Sequence, residues 1–300
     1  MIFSAQINRS SGGSRMPGAC RTALAAGLLL VLALMEIAPA EAQMGGFRKK
    51  GMMGGTSEEA PPQRGRMSAD GVRQLDYLIT ESGLAPVFPP GFDCPPIASH
   101  FASRTRYDGS LRRKDRNSGL HGGFDITLVT GTPLRAQAAG EVIATGEGGR
   151  LEGIYIWLRH APADTGLPYW IFAKYQHLSE LPALQPGGRV QPGQAIALSG
   201  ATGTTGGPMG PAGYPHLHLS THFATTGEFT LKGDSGFEAG GQGAVLDDPM
   251  IVYLPELTDL SQVRQLPEDR RRLAVGVVAE DGALHPAGSR TVWPVACRRQ

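Results

Sequence analysis

The chain has 300 residues, 41% apolar and 18% charged, so it is long enough to bury one sizeable core and too apolar to be disordered throughout. With 42 Gly, 23 Pro and only 7% aromatic residues it must turn often, which favours short strands over a helical bundle. The formal net charge of +1 supplies no basic stripe of the kind a phosphate backbone requires, which argues against nucleic acid as a partner.

The N-terminus has the pattern of an export signal over residues 1–42. Arg9, Arg15 and Arg21 precede the apolar run Ala23–Met35, and Ala40-Glu41-Ala42 forms a small-residue cleavage site. Met16 is an alternative start that shortens the basic region. An uncleaved anchor would need about 20 apolar residues, so no stable membrane insertion is expected after cleavage. Cleavage removes three of the 28 basic and two of the 27 acidic residues, leaving 25 of each and a formally neutral mature chain. The expected location is the periplasm, the cell envelope or the outside of the cell. Cys20 leaves with the signal. Cys94 and Cys297 remain, either paired in an oxidising compartment or as two separate buried thiols, and sequence leaves that open.

Residues 43–68, rich in Gly, Met, Pro and mixed charge, read as a flexible linker. Ser68 can cap a short helix in which Val72, Leu75, Leu78 and Ile79 recur at helical spacing and which Gly83 closes, so 69–91 is expected to hold a short helix and a Pro-rich connection. Six β-prone runs follow: Phe124–Val129, Gly140–Ala144, Ile154–Leu158, Tyr169–Tyr175, Ala195–Leu198 and His216–Phe223. They predict a mainly β fold, an antiparallel β-sheet or sandwich-like domain with few short helices over residues 92–230. Residues 231–300 form a C-terminal extension of unclear role. Within it Glu238–Gly243 reads as a Gly-rich loop, Ile251–Leu254 and Leu273–Val278 as strands, and Trp293–Cys297 as a return to the body of the domain.

Three short patterns carry chemistry. In LHGGFDI, His121 and Asp125 are four apart, and Gly122-Gly123 disfavours a helix while allowing a sharp turn into a strand. An imidazole and a carboxylate are both good zinc ligands, although a lone His and Asp beside glycines are commonly turn residues. In YPHLHLS, His216 and His218 share one face of a strand while Leu217 and Leu219 face the other way. In YQHLS, His177 ends a strongly β-prone run.

In this order, H-x-x-x-D, then an isolated H-L-S, then H-L-H, the chain resembles the LytM or lysostaphin-type zinc endopeptidases of family M23. IASHFASR resembles the family's lead-in strand, GTPLRAQAAGEVIATG its following hairpin, and VQPGQAIALSGATG its loop and strand before the last histidines. The similarity spans roughly Ile97–Phe223. It implies that His121, Asp125 and His218 hold one zinc ion with a fourth position open, and that His177 and His216 are the unligated histidines that move protons and stabilise the oxyanion, His216 being the favoured base. It implies a zinc metalloendopeptidase that hydrolyses stem or cross-bridge peptide bonds of bacterial peptidoglycan. A non-catalytic module that binds the wall or activates a separate amidase is the alternative, though such modules typically lack ligands. Any cell-wall or divisome protein partner is unknown.

His160 resembles the family's structural strand-end histidine. His222 lies about 13 Å along the strand from His218, where a surface role is expected, and His100 and His285 have no partner pattern. The loops Ala161–Pro168 and GTTGGPMGPAGYP are longer than the compact family plan and are read as walls of an open groove. The second is Gly-rich but lacks the Lys-Ser/Thr of a P-loop.

Overall fold

The structure, a computed structural model, describes residues 80–300 except 115–116, 150, 205–213, 233–235 and 242. The expected signal, the linker and most of the helix starting at Ser68 lie outside the described residues. The described end of that segment, Thr80–Leu84, is not helical: it is irregular, with Gly83 at a φ of 72°, and leads into a strand. No helix among the described residues is long and apolar enough to cross a membrane.

The strands are β1 (Ala85–Val87), β2 (Phe92–Asp93), β3 (Phe124–Thr127), β4 (Pro133–Arg135), β5 (Gly140–Glu147), β6 (Ile154–His160), β7 (Trp170–Leu178), β8 (Arg189–Val190), β9 (Ala195–Leu198) and β10 (His216–Ala224). They continue with β11 (Phe229–Lys232), β12 (Gly236–Ala239), β13 (Ala244–Asp247), β14 (Arg272–Ala274), β15 (Val277–Val278), β16 (Leu284–His285) and β17 (Arg298–Arg299). The one α-helix among the described residues is the single turn Pro162–Thr165. The fold is therefore mainly β. A seven-stranded sheet runs β13-β10-β7-β6-β5-β8, with β3 also paired to β10, and every pairing in it is antiparallel.

Alternation along the strands gives this sheet two distinct faces. One buries Val142, Ile156, Leu158, Ile171, Ala173, Tyr175, Leu217, Leu219 and Phe223 in the main core. The other carries His216, His218, Ser220 and His222 on β10, aligned with Gln176, Lys174 and Phe172 on β7 and then with Tyr155, Trp157 and Arg159 on β6. At the far end of that second face Phe237, from the β11–β12 hairpin, packs on Trp157, Phe172 and His222 at ring separations of 4.5, 4.9 and 4.9 Å.

The C-terminal stretch packs into the main core. Trp293 is fully buried, stacked on Phe124 at 5.6 Å, and its indole N–H donates to the Pro95 carbonyl at 3.0 Å. Tyr253 donates to the Val292 carbonyl at 2.8 Å and accepts from Gln137 at 3.0 Å. Cys94 and Cys297 form a disulfide, so the pairing alternative holds. The strand expected at Ile251–Leu254 is a 3-10 helix, Pro249–Tyr253, because Asp248 caps it by accepting from the Met250 amide and Pro249 presets its first turn. The strand expected across Leu273–Val278 is two, β14 and β15, interrupted at Val275-Gly276.

Candidate metal centre

Two paired strands bring the first cluster together. β3 and β10 are in register with Asp125 opposite His218, and His121 stands just before β3. Gly123 permits this closeness, since a Cβ there would lie 2.1 Å from the Leu219 carbonyl oxygen. His121 Nε2, Asp125 Oδ1 and His218 Nδ1 then stand mutually 3.1, 2.9 and 3.0 Å apart. His121 and Asp125 are buried, and the His218 side chain is 16% exposed.

The tautomers follow from the partners. His121 Nδ1 lies 2.9 Å from the His100 carbonyl, so that nitrogen carries the proton and Nε2 turns a lone pair inward. The three atoms converge as a single cation would draw them, and a proton on His218 Nδ1 can bridge to Asp125 Oδ1 in its place. A tetrahedral zinc ion with bonds of about 2.0–2.1 Å sets its ligands about 3.3–3.4 Å apart, so the donor set fits such an ion with an expansion of a few tenths of an ångström. Burial by itself would raise the Asp125 carboxyl, but the adjacent His121 and His218 imidazoles hold it well below the usual carboxylate range.

Two further histidines face the cluster. His216 Nδ1 lies 2.7 Å from the Tyr214 carbonyl, and its Nε2 comes to 3.5 Å from Asp125 Oδ1. His177 Nδ1 lies 2.8 Å from the Thr202 carbonyl, and its ring sits 4.6 Å from that of His216. In both, the proton on Nδ1 leaves Nε2 as the basic nitrogen. Burial pushes the His216 imidazole below its ordinary value and, with the neighbouring His216 and His218 rings, pushes His177 further down, so both are neutral near pH 7.

His177 reaches this face through an irregularity. On a regular β7 it would share the core-facing parity of Tyr175. Instead Ile154 pairs with Leu178 and Tyr155 with Gln176, so His177 is an extra residue, and its φ of 63° is left-handed. Such a bulge re-aims a side chain, and a non-Gly residue held at positive φ is strained. Thr202 buckles it: its hydroxyl accepts from the Ile154 amide at 2.9 Å and donates to the Leu178 carbonyl at 2.6 Å, while its own carbonyl holds His177.

The remaining histidines lie elsewhere. His160 is buried at the end of β6 with Nδ1 2.7 Å from the Ala139 carbonyl. His222, expected at the surface, is partly buried against Trp157 and Phe237, and burial lowers its imidazole to about 4. His285 packs beside Phe92, and His100 contributes its backbone carbonyl to His121.

Sequence reasoning passed over Arg112 and Ser99. One Arg112 nitrogen donates to Ser99 Oγ at 2.8 Å and to the outer oxygen of Asp125 at 3.3 Å, and Ser99 Oγ lies 3.4 Å from His121 Nδ1. Nothing in the sequence marked Arg112, which is separated from Asp125 by the segment that includes 115–116. Ser99 did fall in the lead-in motif and bridges backbone to backbone with Asp125.

Residues 119–228 match the model of peptidase family M23. A chain from Haemophilus influenzae described as an uncharacterized metalloprotease is 38% identical over 104 residues, which cover 34% of this chain and 18% of that one. This chain thus spans less than a fifth of that relative's length. Among solved structures, the catalytic domain of the antimicrobial peptidase lysostaphin from Staphylococcus simulans aligns over 37% of this chain and 72% of its own, at 28% identity and a TM-score of 0.30. A zinc-containing peptidase from Vibrio cholerae aligns over 53% and 41%, at 22% identity and a TM-score of 0.32.

Proposed function

We propose, from the match of residues 119–228 to the model of peptidase family M23, that this chain is a zinc-dependent endopeptidase cutting stem or cross-bridge peptide bonds of bacterial peptidoglycan. The observation that carries the reading is the convergence of His121 Nε2, Asp125 Oδ1 and His218 Nδ1 to 2.9–3.1 Å, with two neutral imidazoles beside them.

In this reading His121, Asp125 and His218 hold the ion, and His177 and His216 do the proton work. When bound, zinc would polarise the scissile carbonyl and lower the pKa of water at the site. His216 Nε2, the basic nitrogen nearer Asp125, accepts the proton as water attacks the peptide carbon and returns it to the leaving amine. The imidazolium it becomes lies beside the Asp125 carboxylate, which stabilises that charge, while burial keeps the resting imidazole neutral. His177 is the hydrogen-bonding partner of the developing oxyanion. Its bulge fixes the ring before substrate arrives, so no reorganisation is needed then.

The peptidoglycan substrate is supported by the match of residues 119–228 to peptidase family M23 and by the expected export signal over residues 1–42. The test is to incubate the mature protein with purified sacculi, with and without chelator, and to identify released fragments by mass spectrometry. Chelator-sensitive release of peptide fragments, lost in His216→Ala with zinc still bound, is expected. Folded, zinc-loaded protein that releases nothing would favour a wall-binding or amidase-activating module instead.

A further inference from the structure

One short hairpin outside the family match touches the centre at two points. Thr105 and Leu111 bridge antiparallel, the Arg106 amide donates to the Ser110 carbonyl at 2.9 Å, and the Arg112 amide donates to the Arg104 carbonyl at 2.9 Å. Asp108 and Gly109 make its tip, with the Ser110 amide donating to Asp108 Oδ1 at 2.9 Å and Gly109 at a φ of 78°.

At the base of the hairpin the Arg112 guanidinium, its side chain 18% exposed, is fixed by Ser99 Oγ and by the Thr105 carbonyl, to which Nε donates at 3.3 Å. It thereby meets Asp125 Oδ2 at 3.3 Å, while Oδ1 faces the two imidazoles. A carboxylate with its outer oxygen engaged offers a single oxygen inward, which leaves room for water and substrate. Near the tip, Tyr107 stacks on Tyr214 with ring centroids 3.4 Å apart and 14° between planes. Tyr214 in turn stacks on His216 at 4.4 Å and 21°, accepts the His216 Nδ1 proton on its carbonyl at 2.7 Å, and pairs its hydroxyl with Thr127 Oγ1 at 2.5 Å. Tyr107 is 48% exposed, so its placement is not explained by core packing. A hydrogen bond at Nδ1 alone still lets the imidazole rock about its Cβ–Cγ bond, and the two-tyrosine stack narrows that motion.

We propose that the Arg104–Arg112 hairpin is a two-point positioning element, in which Arg112 holds the Asp125 carboxylate to one inward oxygen and Tyr107, through Tyr214, fixes the plane of His216. It rests on reading the centre as a metal hydrolase site. Arg112, Tyr107 and Tyr214 are positioning residues, and the two contacts predict two separable defects.

The test uses the whole mature protein, with zinc affinity measured by competition against a chromophoric chelator and kinetics measured on solubilised wall fragments. Arg112→Gln is expected to weaken zinc binding about 10- to 100-fold. Arg112→Lys, which keeps the charge but loses the fork, should fall between Gln and wild type and carries the same reading if the Gln variant fails to fold. Tyr107→Ala is expected to lower kcat at least about tenfold with KM and zinc affinity unchanged, and Tyr107→Phe, which keeps the ring, should restore it. Wild-type zinc affinity in both Arg112 variants, or wild-type kcat in Tyr107→Ala, would overturn the assignment. Wild-type protein that takes up no zinc would overturn the reading of the centre and the hairpin's role with it, so the two failures are told apart by which protein loses the metal.

Discussion

Gly123 shows how a single hydrogen can hold the candidate metal centre together. Because the missing side chain lets β3 lie against the Leu219 carbonyl, Asp125 falls opposite His218, and the Cβ of Gly123→Ala would collide with backbone at 2.1 Å and with the His218 ring at 3.1 Å. Backbone cannot rotate away as a side chain can, so β3 must move off β10. The expected cost is about 1–3 kcal/mol in stability, with a loss of zinc affinity as the two ligands separate. Urea unfolding and metal titration of the same variant would check both, and a stable Gly123→Ala with wild-type affinity would show the strands tolerate the shift. The two imidazoles proposed to move protons supply a second prediction at this scale. Since burial lowers both His216 and His177 below 6.5, their basic forms persist into mildly acid solution. The acid limb of kcat, measured at saturating zinc, should therefore lie below pH 6.5, and a midpoint above 7 would assign proton transfer to some other group.

Asp248 ties the N-terminal and C-terminal elements of the described chain. It caps the 3-10 helix Pro249–Tyr253 and accepts a short hydrogen bond from Ser82, while neighbouring Asp247 is gripped by Arg264 at 2.6 Å, and Arg264 also donates to the Thr80 carbonyl at 2.9 Å. Burial raises the Asp248 carboxyl from 3.8 to about 6, against the pull of the Ser82 and Met250 hydrogen bonds. Between those two values the folded chain holds a proton that the unfolded chain has released, so this group's contribution is full below about pH 4 and declines as pH rises through 6, by about 3 kcal/mol in all. Asp248→Asn should flatten that decline, read as chemical-denaturation midpoints at pH 4, 5, 6 and 7. An equally steep decline in the variant would place the titrating group elsewhere. This knot was invisible in the sequence for the same reason that much of the centre was legible. His121 with Asp125, and His216 with His218, are pairs a few residues apart whose strand parity can be read directly, and the β-prone runs around them became β3, β5, β6, β7, β9 and β10. His177 could be picked out only by its surroundings, because parity arithmetic assumes a regular strand and the bulge reverses its answer. Asp248 with Ser82, and Arg112 with Asp125, depend on loop closures that no local spacing encodes, and a capping Asp before Pro249 turned an apolar run of strand composition into a 3-10 helix.

The disulfide and the buried tail act on the molecule as a whole. Cys94 and Cys297 are separated by 203 residues with Cα atoms 4.4 Å apart, and the crosslink encloses nearly all of the described chain. Closing so long a loop restricts the unfolded ensemble, so Cys94→Ser/Cys297→Ser is expected to lose about 2–4 kcal/mol, seen as a lower urea midpoint that the wild type reproduces under reductant. Beside it Trp293, stacked on Phe124 and met edge-on by Phe88, braces the core side of β3, while the proposed metal ligands Asp125 and His218 occupy the opposite side of the same pairing with β10. The register that sets Asp125 against His218 is fixed by the β3–β10 backbone ladder and by Gly123, neither of which the crosslink touches. The double variant should therefore keep wild-type zinc affinity and kcat at temperatures where it remains folded, and lose both together at its lowered unfolding midpoint. A variant that is folded by circular dichroism yet binds zinc weakly would mean that the tail strains β3 into register, so that the covalent clip serves the centre as well as the fold.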